Sequence, residues 1–121
     1  MKRFIGKNPD VPITPAVQCG PMLFMSGQVP TGPDGKIPSG IKAQTELVLR
    51  KLEAVAKDAS FDLKDFVKCT VFLRHLEDFD DMNSVYRTFF PSNPPARSCV
   101  RAEVAIAADI EIEAIAMKAD G

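Results

Sequence analysis

The sequence predicts an α+β domain in which two helices pack on one face of a sheet. Two stretches repeat apolar residues at helical spacing, and six short stretches around them have the patterns typical of strands. The chain has 121 residues and is 45% hydrophobic, which suits one domain with one core. We therefore expect a single domain over residues 1–121, with the order strand, strand, strand, helix, strand, helix, strand, strand.

The N-terminal part of the chain is predicted to form three short strands. Residues 2–6 are a possible strand, and residues 8–15 contain three prolines, which predicts an extended linker. Two further strands are expected at residues 16–20 and 22–26. Gly27 then follows, and a glycine within a strand marks a bulge or a close approach by other backbone or by a ligand.

Two amphipathic helices are predicted on either side of one strand. Residues 41–59 place apolar positions at helical spacing opposite a charged face, and no glycine caps the end near Ser60. Residues 67–74 alternate as a strand does. Residues 76–90 return to helical spacing with acidic residues in the first turns, and Pro91 ends this helix.

The last two predicted strands carry charged groups that suggest a site. Alternation over residues 110–117 puts Glu111 and Glu113 on one face, and alternation in the preceding strand aligns Arg97 with Cys99. We expect all four side chains on the sheet face that the helices leave open. Because that face would be half polar and half apolar, we predict a homo-oligomer with pockets where the polar groups meet.

These polar residues also have structural interpretations. Charged side chains on a strand, here Arg101, Glu103 and Glu113, are usually solvated or paired for about 0.2–1 kcal/mol. Arg97 differs because the two prolines before it stiffen the entry to the strand. Asn83 shares a helix face with apolar residues, so it is either a satisfied core amide or a site residue.

Composition argues against several classes of function. The formal net charge is −1 and the pI is about 5.8. The chain therefore lacks the excess of Lys and Arg that is typical of nucleic-acid-binding proteins. No apolar run approaches the roughly 18 residues of a membrane span, and the N-terminus lacks the apolar core of a signal peptide. Three cysteines, far apart, fit a reducing compartment. We expect a cytoplasmic protein that binds neither nucleic acid nor membranes.

Motifs for metal, nucleotide and nucleophilic chemistry are missing from the sequence. The only histidine, His75, has no Cys or Asp partner at ligand spacing, so we expect no metal site. Nothing places His75 near Cys99 or Ser26, as a nucleophilic pair would require. The glycines at 32, 35 and 40 fit neither nucleotide fingerprint. Any chemistry should therefore use carboxylates, arginine, backbone groups and water.

Motifs that follow one another along nearly the whole chain carry a family resemblance. They are Val17-Gln18, Ser26-Gly27-Gln28-Val29-Pro30, Lys68-Cys69-Thr70-Val71-Phe72-Leu73, Asp78-Phe79-Asp80-Asp81-Met82-Asn83, Tyr86 with Phe89-Phe90, Pro95-Ala96-Arg97-Ser98-Cys99-Val100 and Ile110-Glu111-Ile112-Glu113-Ala114-Ile115-Ala116. Through these motifs the sequence resembles the RidA/YjgF/YER057c/UK114 family of reactive-intermediate imine and enamine deaminases. The pair Pro-Ala-Arg-Ser-Cys and Ile-Glu-Ile-Glu-Ala is its most specific part.

The resemblance implies a fold, an assembly and a reaction. The fold would be chorismate-mutase-like, a single mixed sheet with two helices on one face, and three copies would form a homotrimer with clefts between subunits. The reaction would be hydrolysis of 2-imino acids, or of enamine tautomers such as 2-aminoacrylate, to 2-keto acids and ammonia. A 2-iminobutanoate/2-iminopropanoate deaminase is the type implied, with no metal or organic cofactor.

The same resemblance implies roles for residues at matching positions. Arg97 would grip the substrate carboxylate with two parallel charge-assisted bonds. Glu111 would direct a water and move protons, with Glu113 as the alternative. Backbone groups around Cys99 would bind substrate or water, since no base is available to activate the thiol. The other residues expected in the cleft are Ser26, Gly27, Asn83 and Ser98.

The sequence departs from the family pattern in two ways. Family deaminases commonly have a tyrosine where this chain has Ala16, and the connections after Gly20 and between Val104 and Asp109 are shorter. A more open cleft would suit a larger substrate, for example a ring-derived enamine such as 2-aminomuconate. Two other functions fit the sequence: a ligand-binding or regulatory trimer without turnover, and another hydrolytic activity, including the ribonuclease attributed to some relatives.

Overall fold

The computed structural model describes residues 1–119, which form one six-stranded mixed sheet with two helices on one face. The strands are β1 (Lys2–Ile5), β2 (Ala16–Cys19), β3 (Met22–Gln28), β4 (Phe66–Leu73), β5 (Ala96–Arg101) and β6 (Ile110–Met117), and the helices are α1 (Ile41–Asp58) and α2 (Phe79–Phe89). Their order in the sheet is β1-β2-β3-β6-β4-β5, and only the β4–β5 pair is parallel. The predicted fold class and order of elements are confirmed.

The core lies between the helices and one face of the sheet. Helix α1 contributes Val48, Leu49 and Leu52, which are fully buried at the spacing of one helical face. Alternate residues of the central strands, such as Val71 and Ile112, meet them from the sheet. The opposite face of α1 is charged, and no helix within residues 1–119 combines the length and apolar character that a membrane crossing needs.

The end of α1 shows how a helix stops without a glycine. Ser60 adopts φ 66°, the left-handed conformation that glycine usually supplies after a helix. Its N–H bonds to the Lys57 carbonyl, and the Phe61 N–H bonds to the Ala56 carbonyl, which together satisfy the last turn. Phe61 is then buried against the core. The predicted end near Ser60 is confirmed.

The second predicted helix is divided into two parts. A 3₁₀ turn at Leu76–Asp78 leads into α2, which begins at Phe79 and ends at Phe89, just before Pro91. Such 3₁₀ turns are common at helix ends because they tighten the first turn. Helix α2 packs with its buried residues, including Met82 and Tyr86, towards α1 and the sheet.

Strand β3 extends two residues beyond its predicted end. Its pairing with β6 shifts register between Met25 and Gln28, so Ser26 and Gly27 form an irregular step and the strand resumes after it. The interruption predicted at Gly27 is therefore a bulge, and the strand continues through it.

One prediction about the sheet faces is wrong. Arg97 and Cys99 do not share a face with Glu111 and Glu113. Strand β5 lies parallel to β4 in a register that puts Arg97 beside the buried Cys69, on the helix side of the sheet. Alternation identifies which residues of one strand share a face, but the face itself depends on the register with the neighbouring strand.

Candidate functional site

The guanidinium of Arg97 is held by one face of helix α2. Its Nη1 donates a hydrogen bond of 2.8 Å to Asn83 Oδ1, and its Cζ lies 4.8 Å from the centre of the Tyr86 ring. A second contact joins the same nitrogen to Met82 Sδ at 3.9 Å. Asn83 and Tyr86 are three residues apart, so they lie at neighbouring positions on one helix face and contact the guanidinium together.

The same guanidinium borders an open cavity of about 280 Å³. This Arg97 cavity is lined by Asn83, Tyr86, Arg87, Phe90, Pro94, Pro95 and Arg97. Within residues 1–119, no carboxylate lies within 4.0 Å of the Arg97 nitrogens, and the guanidinium instead contacts an amide oxygen, a thioether sulfur and the faces of two aromatic rings. An arginine fixed in this way can present its remaining N–H groups to a carboxylate ligand.

The backbone of β5 adds donors and acceptors beside Arg97. Strand β5 is at the edge of the sheet in this chain. The Ala102 N–H bonds back to the Leu73 carbonyl, and backbone groups of alternate residues point the same way along a strand. The N–H and C=O of Cys99 therefore point to the unpaired edge, where a ligand or another chain can reach them.

The Cys99 thiol is packed on the helix side, against the core. Burial raises its pKa, and the nearby Arg97 charge only partly opposes this. The thiol therefore stays protonated at neutral pH, which does not favour nucleophilic attack by the sulfur. Its backbone is the part of Cys99 that is available to a ligand.

Glu111 stands on the opposite, open face of the sheet. It is half-buried beside Phe72, its partner on β4, and borders a second cavity of about 400 Å³. This Glu111 cavity is lined by Phe72, Ala102, Glu103, Val104, Ala105 and Glu111. Burial raises the pKa of Glu111, and the like charge of Glu113 raises it further. A carboxyl group with a raised pKa exchanges protons more readily near neutral pH.

Gly27 makes the room that the Glu111 carboxylate occupies. A Cβ at this position would collide with Glu111 Oε2 and would lie 3.0 Å from Glu111 Cδ. The bulge in β3 thus brings backbone without a side chain against the carboxylate. The close approach predicted at Gly27 is made by the Glu111 side chain.

The side chains of the remaining predicted residues, Ser26 and Ser98, make no hydrogen bond to Arg97 or Glu111 within the described residues. Ser26 is half-buried, and its hydroxyl donates to the Thr14 carbonyl at 2.7 Å. Ser98 is exposed beside Thr70, on the sheet side opposite Arg97. Ala16, which takes the place of the family tyrosine, is fully buried beside Ile5 and Met25 in the core.

The candidate site residues therefore form two separate groups within one chain. Arg97, Asn83 and the Cys99 backbone form one at the β5 edge, and Glu111 with Gly27 forms the other on the open face. Strand β4 lies between β5 and β6, and the sheet itself separates the two cavities. A single chain cannot bring the guanidinium and the carboxylate to the same ligand.

Tyr86 and Arg87 were not identified as site residues from sequence. Tyr86 is both a core residue and a contact of Arg97, since it is 6% exposed and its ring supports the guanidinium. The available signal was the stripe of Asn83, Tyr86, Arg87 and Phe90 at helical spacing, which faces one cavity. No group of three His, Cys, Asp or Glu side chains among residues 1–119 is placed to hold a metal ion.

Comparison with known proteins identifies the family. A family model described as Endoribonuclease L-PSP matches residues 7–118. A RutC family protein of Pasteurella multocida is 42% identical over 114 residues, which cover 89% of this chain and 88% of that protein. The 2-iminobutanoate/2-iminopropanoate deaminase of Escherichia coli is 38% identical over 112 residues, 88% of each chain.

A solved structure agrees with these matches. The crystal structure of Escherichia coli TdcF with bound serine superposes with a TM-score of 0.91 at 34% identity, covering 97% of this chain and 99% of that one. Sequence and fold therefore point to the same group of proteins over nearly the full length of the chain. The chain belongs to the Endoribonuclease L-PSP family, the RidA/YjgF family of reactive-intermediate deaminases.

Proposed function

We propose that this protein hydrolyses 2-imino acids, or their enamine tautomers such as 2-aminoacrylate, to 2-keto acids and ammonia. The observation that carries the proposal is the Arg97 guanidinium, which is fixed by Asn83 and Tyr86, faces an open cavity and has no carboxylate partner within residues 1–119. The relatives named as 2-iminobutanoate/2-iminopropanoate deaminases support the reaction class.

Arg97 would bind the carboxylate that every such substrate carries. Two parallel N–H···O bonds fix both position and orientation, each contributing about 1.5–3 kcal/mol. The Cys99 N–H and C=O at the free edge of β5 would complete the contacts to substrate or water. TdcF has been crystallised with serine, an amino acid with the same carboxylate, which supports this mode of recognition.

Glu111 would carry the proton transfers of the reaction. Glu111 accepts a proton from water as the oxygen bonds to the imine carbon, and it passes this proton to the imine nitrogen, which gives the carbinolamine. It then accepts the carbinolamine hydroxyl proton and passes it to the nitrogen, so that the C–N bond breaks and ammonia leaves as the C=O bond forms. No oxidant or reductant is needed, because water supplies the oxygen and the hydrogens. The raised pKa of Glu111 supports this two-way role.

The complete site would form between copies of the chain in a homotrimer. Arg97 and Glu111 face opposite sides of one sheet, so a site using both requires the edge of one copy to meet the open face of another. That face is apolar enough for a partner, with Phe4 65%, Phe24 44% and Met117 43% exposed. A head-to-tail contact of this kind forms a ring when the rotation between copies closes, and three copies would then give three equivalent clefts.

The proposal is tested with imino acids generated in the cuvette. An amino-acid oxidase supplies the imino acid, and semicarbazide competes for it, so faster hydrolysis appears as less semicarbazone. We expect the wild-type protein to accelerate keto-acid formation and Arg97→Ala to lose at least about 100-fold in kcat/KM. The variant Arg101→Ala, on the same strand but outside the Arg97 cavity, serves as the control.

Two results would overturn the deaminase proposal. One is a wild-type rate equal to the uncatalysed rate with several imino acids. The other is an Arg97→Ala variant that hydrolyses them as fast as the wild type. If the Arg97→Ala variant no longer forms the oligomer that the wild type forms, the arginine has a structural role. The variant Arg97→Lys, which keeps the charge, then separates the effect of charge from that of packing.

A binding function without turnover is the second candidate. The ligand in the TdcF crystal structure is serine, which is a stable amino acid and not an imine. The Arg97 guanidinium and the Cys99 backbone would suit a sensor of amino or keto acids as well. Tight binding of such acids by the wild type, without any acceleration of imine hydrolysis, would favour this candidate.

A ribonuclease activity has less support, although the family model is described by that name. The formal net charge of the chain is −1, and phosphate backbones are bound mainly through clustered Lys and Arg. We therefore place the deaminase proposal ahead of it.

A further inference from the structure

A second arginine lines the cavity that Arg97 borders. Arg87 is in the last turn of α2 and lines the same Arg97 cavity of about 280 Å³. Recognition of a substrate carboxylate needs one guanidinium, and the reaction proposed above gives Arg87 no part. Its position calls for a separate explanation.

Helix geometry places Arg87 close to the residue that holds Arg97. Arg87 follows Asn83 by four residues, so it lies one turn along the same helix face, with about 5–6 Å between the two Cβ atoms. Because Asn83 accepts the 2.8 Å hydrogen bond from Arg97, Arg87 stands about one turn from the point where the first guanidinium is fixed. Both arginines line one cavity, Arg87 from α2 and Arg97 from β5.

Neither cation is neutralised within the described chain. Among residues 1–119, no Asp or Glu oxygen lies within 4.0 Å of a nitrogen of Arg87 or Arg97. Like charges that share a cavity repel each other, and the repulsion is relieved when anionic groups bind between or beside them. Two such cations suit a ligand with two anionic groups.

The rest of the cavity lining suits a short carbon chain. Besides Asn83 and the two arginines, it consists of Tyr86 and Phe90 from the C-terminal end of α2 and of Pro94 and Pro95 from the segment before β5. These surfaces offer apolar contact without competing hydrogen-bond donors, except for the buried Tyr86 hydroxyl. The polar ends of a ligand would therefore be held by the arginines and its methylenes by the rings.

We infer that the preferred substrates are imino dicarboxylates of short chain, with the carboxylate next to the imine on Arg97 and the distal carboxylate on Arg87. This inference rests on the proposed deaminase function and names the substrate class of the same site. Arg87 is then a specificity-determining residue. It distinguishes a dicarboxylate from a monocarboxylate of equal length, while the bonds that form and break remain those given above.

The test compares two substrates that differ only at the distal end. 2-Iminoglutarate, generated from glutamate, carries the second carboxylate, and 2-iminopentanoate, generated from norvaline, carries a methyl group instead. We expect the wild-type kcat/KM to be about tenfold higher for the dicarboxylate. This value is at the lower end of what a hydrogen bond between charged groups contributes, because Arg87 is exposed to solvent. The variant Arg87→Gln should bring the ratio close to one, and Arg87→Lys should retain part of it.

A matched control separates a local contact from a change in net charge. Lys42→Gln removes one positive charge from an exposed position on α1, outside the Arg97 cavity, and should leave the substrate ratio at its wild-type value. Calorimetric binding of glutarate and pentanoate, which do not react, gives a readout that is independent of turnover. Glutarate should bind more tightly to the wild type, and Arg87→Gln should remove the difference.

The outcomes distinguish this inference from the proposed function. Hydrolysis of both imino acids at equal kcat/KM, or a ratio that Arg87→Gln leaves unchanged, overturns the dicarboxylate inference and leaves the deaminase standing. Hydrolysis of neither, with glutarate still preferred over pentanoate through Arg87, overturns the deaminase and supports the diacid site. Equal binding of glutarate and pentanoate by the wild type overturns the diacid site.

Discussion

Arg97 and Glu111 lie on opposite faces of the same sheet, with strand β4 between the strands that carry them. If one reaction uses both residues, they must come from different copies of the chain. Two inactive variants, Arg97→Ala and Glu111→Gln, should therefore restore activity when co-expressed. In randomly mixed trimers, about one quarter of the clefts would receive an intact arginine and an intact glutamate.

In the control for this complementation, every cleft lacks the arginine. Co-expression of Arg97→Ala with the double variant Arg97→Ala/Glu111→Gln contains no intact Arg97 and should stay inactive. Native mass spectrometry shows whether mixed oligomers have formed. Mixed oligomers of the two single variants with no activity above either parent would refute the shared cleft.

The Tyr86 ring should matter for substrate affinity, whereas its hydroxyl should not. Arg97 Cζ lies 4.8 Å from the ring centre, and the hydroxyl is buried beside the Cys69 thiol without hydrogen-bond geometry to any group in residues 1–119. Tyr86→Phe keeps the ring and should retain KM. Tyr86→Leu loses the cation–π support, about 0.5–2 kcal/mol, and should raise KM roughly 2- to 30-fold with a smaller effect on kcat. Equal KM values for the two variants would contradict this role.

Gly27 should act through Glu111. The φ of Gly27 is not in the left-handed region, so alanine fits the backbone, but its Cβ would displace the Glu111 carboxylate. We expect Gly27→Ala to lower kcat by roughly tenfold or more, part of the 10²–10⁴-fold that acid–base catalysis contributes. In the double variant Gly27→Ala/Glu111→Gln, the glycine substitution should add little to the loss caused by Glu111→Gln. Full additivity of the two effects would show that Gly27 works independently of the glutamate.

The sequence predicts which residues of a strand share a face, but it does not predict which face of the sheet they occupy. Alternation correctly put Glu111 with Glu113, and Arg97 with Cys99. The side on which Arg97 lies follows from the parallel register with Cys69, a contact between residues distant in sequence. Asn83 is half-buried and borders the cavity, and its amide oxygen accepts the hydrogen bond from Arg97, so the partner expected for a polar residue on this helix face is a candidate site residue.

The pH dependence of kcat/KM should reflect the like charge of Glu113. Burial raises the pKa of Glu111 above its ordinary value, and Glu113 raises it further. If the ionised form of Glu111 activates water, the acid limb of the profile should lie above the ordinary pKa of 4.5. Glu113→Gln removes the repulsion and should move that limb to lower pH. A limb that stays in place would show that another group limits the rate at low pH.

The same raised pKa means that ionised Glu111 should destabilise the folded protein at neutral pH. Because its pKa is higher in the folded protein than in the unfolded chain, the folded state binds more protons between the two pKa values. Stability is therefore lost as the pH rises through that interval, and the loss persists above it. Glu111→Gln cannot ionise, so its Tm should match that of the wild type near about pH 4 and exceed it near about pH 8. Glu113→Gln, at an exposed position, should show a smaller gain. A lower Tm for Glu111→Gln at the higher pH would mean that the ionised carboxylate is stabilised by its surroundings in the assembled protein, and the desolvation argument for its catalytic pKa would fail with it.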